Sequence, residues 1–163
     1  MATNRPHPVE RVHPPDWLLR YFVNPVLRRV LSKGRGKLGE SVLLLRFSGR
    51  RSGKLYEIPV GYRTIDGRMA LLTSSGWRFN FQGGADVEVT LAAERKRARA
   101  TLLDDPHQVA AIYGRLIDEV GLSNVNRLGI KIYVDRIPSR EELTDMIERS
   151  GLSVVWVDLF SGA

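Results

Sequence analysis

Apolar residues are spaced as in strands through the middle of the chain and as in helices on both sides of it. Residues 41–47, SVLLLRF, are apolar at successive positions, which indicates a strand covered on both faces. Asp66-Gly67 predicts a short hairpin turn, and Ala92-Ala93-Glu94 predicts a second turn. The predicted strands lie at residues 41–47, 54–63, 69–73, 87–91, 95–103 and 154–159.

The strand at residues 95–103, RKRARATLL, places its three arginines on one face by alternation. One face carries Arg95, Arg97, Arg99 and Thr101, and the other carries Lys96, Ala98, Ala100 and Leu102. We expect the arginine face to be solvated.

Four helices are predicted from caps and helical spacing. Asp16 caps the first, and Asn24-Pro25 starts a second that ends at Gly34. Asp105-Pro106 starts a third, which ends at Gly121. Ser139 and Glu142 form a capping box for a helix to about Ser150. Residues 122–137 fit either a short helix or a strand.

The order of these elements predicts one domain of α+β class. Residues 1–15 contain four prolines and predict a loose N-terminal tail. Residues 16–163 are then a single domain, with a mainly antiparallel, closed sheet and peripheral helices. A chain of 163 residues is long enough to form a hydrophobic core without covalent cross-links.

Composition limits the chemistry that the chain performs. It has no cysteine, so disulfides and thiolate chemistry are excluded, and a cytoplasmic location is expected. No pair of its histidines has metal-ligand spacing, so no metal site is expected. No segment has the length and apolarity of a membrane span, and no signal peptide is recognisable at the N-terminus.

The net charge of +7 and the pI near 10.1 point to an anionic partner. Nucleic acid, anionic lipid and a polyanionic small molecule all fit that sign. A basic surface without any ligand fits it as well.

The basic segment at residues 49–54, GRRSGK, is the strongest candidate for an anion site. It differs from the nucleotide-binding GxxxxGK loop by one residue in spacing and lacks the following Ser or Thr. Gly49 and Gly53 allow a turn with exposed backbone N–H groups, to which the arginines add bidentate phosphate donors. An ordinary hairpin with a solvated basic turn remains the alternative.

Pro59 interrupts the strand that follows this turn. Because proline cannot donate to a strand ladder, we expect an edge strand or a bulge there. The backbone groups of Ile58 and Val60 would then be available to a flat heterocycle. A hydrolase site built from side chains is not expected, since Ser52 lacks the context of a nucleophile elbow. A cofactor is therefore expected to supply the chemistry of any enzyme built on this chain.

From about Asn24 to Leu159 the chain resembles the flavin/deazaflavin-dependent oxidoreductases of split β-barrel fold, in their nitroreductase-like deazaflavin branch. The resemblance rests on Gly49-Arg50-Arg51-Ser52-Gly53-Lys54, on Pro59-Val60 with Tyr62, on Asp66-Gly67, and on Trp77-Arg78-Phe79-Asn80. It implies a split β-barrel and an oxidoreductase that moves a hydride between a reduced deazaflavin and an unsaturated, nitro or quinone-type small molecule.

The resemblance also implies a cofactor site. The basic turn would hold the cofactor's phosphate and acidic tail, the proline-bearing strand would lie along its ring, and the segment before Asn80 would lie beside both. The implied cofactor-binding residues are Arg50, Arg51, Ser52, Gly53, Lys54, Ile58, Pro59, Val60, Thr73, Ser74, Ser75, Trp77, Arg78 and Asn80. Tyr62 is the only nearby hydroxyl nominated as a catalytic proton donor.

The implied cofactor is the 8-hydroxy-5-deazaflavin coenzyme F420, whose phosphodiester and polyglutamate tail suit a basic protein. Only Ser74-Ser75-Gly76 precede Trp77, a shorter loop than is usual in the family, so FMN or no cofactor stays an alternative. A nucleic-acid partner is disfavoured because the basic residues concentrate at turns instead of interleaving with aromatic residues.

Three further alternatives stay open at this point. The chain fits a non-catalytic protein that binds or sequesters a flavin. Residues 16–33 fit a helix at a membrane surface as well as a helix that covers the barrel. Split barrels of this type often build their site at a dimer interface, so a homodimer is also an alternative.

Overall fold

A computed structural model describes residues 7–11 and 42–161. The chain divides into two compact units, and each is described by itself. The helical unit comprises residues 1–14 and 103–153, and the sheet unit comprises residues 15–102 and 154–163. The expected single domain over residues 16–163 remains a prediction.

Nine strands and four helices are present among the described residues. The strands are β1 (Val9–Arg11), β2 (Val42–Ser48), β3 (Leu55–Gly61), β4 (Arg63–Ile65), β5 (Arg68–Thr73), β6 (Ala85–Leu91), β7 (Glu94–Leu103), β8 (Ile130–Ile132) and β9 (Ser153–Leu159). The α-helices are α1 (Pro106–Val120) and α2 (Arg140–Ser150), and the 3-10 helices are η1 (Gly76–Phe81) and η2 (Leu122–Leu128).

The sheet unit is built on one seven-stranded sheet in the order β3-β2-β6-β7-β9-β5-β4. The pairs β2–β3, β2–β6, β6–β7 and β4–β5 are antiparallel. Strand β3 begins this order, yet it also contacts β5 near the other end, so the sheet curls round towards closure. The pattern of the sequence predicted a mainly antiparallel sheet, and the curled sheet is the split β-barrel architecture that the family resemblance implied.

Two hairpin turns set the register of this sheet. Asp66 and Gly67 both have positive φ, 51° and 77°, which is typical of the tight turn that their sequence predicts. Ala92 and Ala93 form the second turn, with φ of 46° and 68°. Glu94 is already part of β7, so this turn is one residue shorter than expected.

In β2 and β7, the pattern of buried residues agrees with the pattern of apolar residues along each strand. Leu43, Leu44 and Leu45 of β2 are all buried, as the uninterrupted apolar run indicated. In β7 the side chains of Ala98 and Ala100 are fully buried, whereas the arginines on its other face are exposed.

Strand β3 lies at an end of the sheet order, which confirms the edge position predicted from Pro59. Its register with β2 pairs Pro59 with Leu44 and Ile58 with Leu45. Ile58 is buried in the core, and Val60 packs against the same core cluster. Both therefore belong to the inner face of β3, with Pro59 on the opposite face.

The helical unit contains α1, α2 and a two-stranded sheet of β1 and β8. Asp105 caps α1 by accepting a hydrogen bond from the Gln108 backbone, and Ser139 and Glu142 form the predicted capping box of α2. The ambiguous residues 122–137 fold as η2 followed by β8, so both interpretations apply to part of the segment.

The structure differs from the expected loose tail at Val9–Arg11. These residues form β1, which pairs antiparallel with β8, and Val9 is fully buried. Arg11 Nη1 donates to the Gly129 carbonyl at 2.7 Å, and Arg149 donates to the Val9 carbonyl. The alternation of so short a strand is invisible among prolines, and its partner lies more than a hundred residues further along the chain.

Two predicted helices lie outside the described residues, namely those that start at Asp16 and at Asn24-Pro25. The same holds for residues 16–33 as a membrane-surface segment. Among the described helices, none has the length and apolarity needed to cross a membrane.

Candidate functional site

The sheet unit contains a cavity of about 1100 Å³ between the basic turn and η1. One wall is formed by the end of β2, the turn and the start of β3, and the other wall by η1 with Gln82. The lining residues are Phe47, Gly49, Arg50, Arg51, Ser52, Tyr56, Ile58, Gly76, Trp77, Phe79, Asn80 and Gln82.

The basic turn closes through hydrogen bonds of its own backbone. Gly49 N–H donates to the Lys54 carbonyl at 2.7 Å, and Gly53 N–H donates to the Gly49 carbonyl at 2.9 Å. Ser52 Oγ accepts from the Lys54 N–H at 3.1 Å. A β-carbon at position 49 would lie 2.8 Å from Ser52 Oγ and 3.0 Å from a ring carbon of Tyr56. The tight packing explains why glycine precedes the two arginines.

Asn80 joins the two walls of the cavity. Its Oδ1 accepts from the Arg50 backbone N–H at 2.7 Å, and its Nδ2 donates to the Trp77 carbonyl at 2.8 Å. The Arg50 guanidinium donates to Gln82 Oε1 at 2.9 Å. The turn is thereby fixed to η1 at two points.

The charges at the rim are not neutralised within the described part of the chain. Arg50 and Arg51 are exposed, and neither forms an ion pair with any described carboxylate. Lys54 Nζ lies 6.0 Å from the centre of the Tyr56 ring and likewise has no acidic partner among those residues. Uncompensated cations beside a cavity favour an anionic ligand.

Aromatic rings form the floor of the cavity. Phe47 is buried and stacks on Tyr56 with ring centres 5.5 Å apart. Phe47 also lies 6.4 Å from Trp77 and meets Phe81 edge-on at 5.2 Å. Phe79 is 45% exposed on the η1 side, where the Arg78 guanidinium lies 4.1 Å from its ring. Such a surface suits a flat ring system.

The cavity brings together six of the predicted cofactor-binding residues. They come from the turn, from β3 and from η1, and they are Arg50, Arg51, Ser52, Ile58, Trp77 and Asn80. Eight others lie outside its lining: Gly53, Lys54, Pro59, Val60, Thr73, Ser74, Ser75 and Arg78.

Arg78 and Thr73 support the loop before η1. Arg78 Nη1 donates to the carbonyls of Ser74 and Ser75, at 2.8 and 2.9 Å. Thr73 is buried, and its Oγ1 accepts from the Ser75 N–H at 3.0 Å. These hydrogen bonds shape the loop, and the expected cofactor contacts of Thr73, Ser74, Ser75 and Arg78 stay predictions.

Tyr62 is not brought to the cavity. It is partly buried and packs against the core cluster of the sheet unit. Tyr62 is not among the lining residues, so its role as a proton donor stays a prediction that the cavity does not support.

Six lining residues were not among the predicted cofactor-binding residues: Phe47, Gly49 (expected only to shape the turn), Tyr56, Gly76, Phe79 and Gln82. Alternation along β3 would have found Tyr56, because it shares a face with Ile58. Gln82 carries no recognisable signal in the sequence.

These residues fit a flat, anionic cofactor. The cavity is as large as typical ligand pockets, its floor is aromatic, and Arg51 stands at its rim without an acidic partner in residues 7–11 or 42–161. No group of three or more His, Cys, Asp or Glu side chains in the same residues is placed to hold a metal ion.

Two flavin-binding proteins of known structure show a distant likeness to the chain. The general stress FMN/FAD binding protein of Xanthomonas citri is 11% identical, with a TM-score of 0.42 over 83% of this chain and 85% of that one. The FAD and heme binding protein of Mycobacterium smegmatis is 13% identical, with a TM-score of 0.42 over 82% of this chain and 66% of that one. Likeness at this level carries no argument about function.

No curated protein matches the chain. The sequence model of the F420H(2)-dependent quinone reductases, however, matches residues 18–125 of the 163, which include the whole cavity. The family is one of enzymes, which sets the non-catalytic binding alternative aside. The chain therefore belongs to the F420H(2)-dependent quinone reductase family, and it is an oxidoreductase whose cofactor is coenzyme F420.

Proposed function

We propose that this protein reduces quinones, with reduced coenzyme F420 held in the cavity between the basic turn and η1. The observation that carries the proposal is the combination of an aromatic floor with a cationic rim. A flat ring and an anionic tail are the two parts of this coenzyme, and the cavity offers a matching surface for each.

In this proposal the turn holds the phosphodiester of the coenzyme. Arg51 is exposed and supplies a planar, bidentate donor, and the Ser52 hydroxyl lies next to it in the lining. Lys54 lies outside the lining, where it meets the part of the tail that extends past the rim. Long-range attraction by the net charge of +7 adds to the rate of capture.

The ring lies against the inner face of β3. Ile58 and Phe47 form an apolar surface there, and Trp77 closes it from the η1 side. When bound, the reduced coenzyme supplies a hydride from its C5 position. A hydride and one proton convert a quinone to a hydroquinone. The residues of the cavity orient the two rings and exclude water from between them.

The test is turnover. A catalytic amount of the protein, mixed with reduced coenzyme F420 and menadione, is expected to oxidise the coenzyme with one equivalent of quinone consumed. Replacing Arg50 and Arg51 together by alanine is expected to lower kcat/KM at least tenfold at low salt, since two cations near the bound anion are lost. Arg127→Ala is the matched control, because Arg127 is an exposed arginine of η2 in the helical unit. Absence of quinone-dependent oxidation by the wild-type protein would refute the proposal.

The same purified protein can be used to test other substrates, the alternative cofactor and the oligomeric state. Nitroaromatic compounds and enones belong in the substrate panel, since a hydride acceptor of either kind fits an aromatic cavity. FMN in place of F420 tests the alternative cofactor. We also propose that the protein is cytoplasmic and forms a homodimer. Sedimentation of the purified protein tests the homodimer.

A further inference from the structure

We infer that the two adjacent arginines of the turn have different roles: Arg50 holds the walls of the cavity together, and Arg51 binds the anion. The inference rests on the proposed function, because it concerns how the anionic coenzyme is held. Arg50, Asn80 and Gln82 are then positioning residues. The two hydrogen bonds from Arg50 to Asn80 and to Gln82 form what we call the Arg50 link.

Arg50 is committed to η1 through both its backbone and its side chain. Its N–H donates to Asn80 Oδ1 at 2.7 Å, and its Nη1 donates to Gln82 Oε1 at 2.9 Å. These partners lie 30 and 32 residues along the chain from Arg50. An anion that took the guanidinium from Gln82 would therefore remove one of the two bonds between the walls.

Asn80 is held in the orientation that the link requires. Its Nδ2 donates to the Trp77 carbonyl at 2.8 Å, which leaves Oδ1 directed at the turn. Both ends of the amide are thus used, and the bond to the turn does not depend on a mobile side chain. Trp77 lies in η1, and Gln82 is the residue that directly follows η1 and caps it, so this wall is fixed to the turn both within the helix and at its end.

Like Arg50, Arg51 lines the cavity and is exposed. Unlike Arg50, it has no hydrogen bond or ion pair with any residue the structure describes. Its guanidinium can bind an anion without breaking a contact with any residue in the described ranges 7–11 and 42–161. For two residues of the same type in adjacent positions, this difference decides which one serves as the ligand.

The two roles predict opposite results for Gln82→Ala. If Arg50 acts through Gln82, the variant weakens coenzyme F420 binding, by about fivefold for one exposed hydrogen bond of a charged donor. If Arg50 is itself a ligand of the anion, the variant releases its guanidinium, and affinity is unchanged or higher. Gln108→Ala, at an exposed glutamine of α1, is the matched control and is expected to bind as the wild type does.

The experiment is a double-mutant cycle of Arg50→Ala and Gln82→Ala, with Kd for coenzyme F420 measured at several salt concentrations. We expect the double variant to bind no more weakly than Arg50→Ala alone. Gln82→Ala is expected to keep the wild-type salt dependence, whereas Arg51→Ala flattens it because a cation near the ligand is lost. Additive losses, or unchanged or tighter binding by Gln82→Ala, would overturn the inference and leave the proposed function intact.

A measurement without the coenzyme distinguishes failure of the Arg50 link from failure of the proposed function. Hydrogen exchange of the free protein is expected to show a protected Arg50 amide in the wild type and faster exchange in Asn80→Ala. The matched variant Asn126→Ala, at an exposed asparagine of η2, is expected to leave that amide protected. Equal exchange in all three proteins would overturn the Arg50 link. Failure of the wild type to bind coenzyme F420 would instead refute the proposed function, and with it the ligand role of Arg51.

Discussion

The ring of Tyr56 lies directly against Gly49, so a β-carbon at position 49 would be 3.0 Å from Tyr56 Cε2. The same β-carbon would be 2.8 Å from Ser52 Oγ, which accepts the Lys54 N–H. The basic turn therefore packs directly against Tyr56, and the cationic rim of the cavity adjoins its aromatic floor at this contact. A side chain larger than that of glycine at position 49 would not fit between them.

Gly49→Ala is therefore expected to displace Ser52 and Tyr56, and to lower the free energy of unfolding by about 1 to 3 kcal/mol through overpacking. Gly76→Ala is the control for stability, because a β-carbon there meets no atom within 4 Å and the backbone needs no positive φ. Urea denaturation of the two variants measures the difference. Equal stability would show that the turn yields without cost.

The burial of Phe47 predicts a second contrast within the same cavity. Phe47 is 4% exposed and contacts three other rings, so Phe47→Ala is expected to cost about 3 to 5 kcal/mol of stability. Phe79 is 45% exposed and contacts the Arg78 guanidinium, so Phe79→Ala should cost less than about 1 kcal/mol. Thermal melting compares the two. Similar losses of stability would mean that Phe47 is less buried in solution than its exposed fraction of 4% indicates.

The two hairpin turns of the sheet allow a reciprocal exchange. Ala93 has φ of 68° without being glycine, whereas Gly67 has φ of 77° in the equivalent turn. Ala93→Gly is expected to raise stability by about 0.5 to 1 kcal/mol, because relief of the left-handed backbone outweighs the added freedom of the unfolded chain. Gly67→Ala should lower stability by a similar amount. Changes of the same sign in both variants would contradict this assignment of strain.

Acid should weaken the helical unit through Glu142. Hydrogen bonds from the Arg136 side chain and the Ser139 backbone lower the pKa of Glu142 from 4.5 to about 2. Because the folded pKa lies below the unfolded one, the stabilisation is complete above about pH 4.5 and is lost as pH falls towards 2. Glu142→Gln should therefore show a smaller loss of melting temperature than the wild type over this range.

Glu141→Gln is the control for that acid loss, since the neighbouring carboxylate has no hydrogen bond or ion pair with any described residue. Part of the loss will remain in Glu142→Gln. The Arg68 side chain also lowers the pKa of Asp158 in the sheet unit, and that effect has the same sign. An unchanged acid profile in Glu142→Gln would mean that the hydrogen bonds of Glu142 with Arg136 and Ser139 are not maintained in solution.

Local signals account for what the sequence predicted well. The turn at Asp66-Gly67 and the capping box at Ser139 and Glu142 each depend on a few adjacent residues, and both form as expected. The edge position of β3 follows from Pro59, which cannot donate a ladder bond. Such features need no knowledge of distant parts of the chain.

Long-range contacts account for what the sequence did not show. Strand β1 is three residues long and gains its structure from β8, far along the chain. The hydrogen bonds that join Asn80 to Arg50 and to Trp77 were not predicted, and the expected contact of Asn80 with a cofactor stays a prediction. Gln82 has no local feature that marks it, and its importance appears only when the turn and η1 are brought together.

The most direct test of this account is a titration of coenzyme F420 into the protein at low salt, followed by tryptophan fluorescence, since Trp77 lines the cavity. We predict saturable binding whose affinity falls as salt is added, falls further in the Arg51→Ala variant, and stays at the wild-type value in Arg127→Ala. Absence of saturable binding, or binding that is the same in wild type and Arg51→Ala at every salt concentration, would contradict the account.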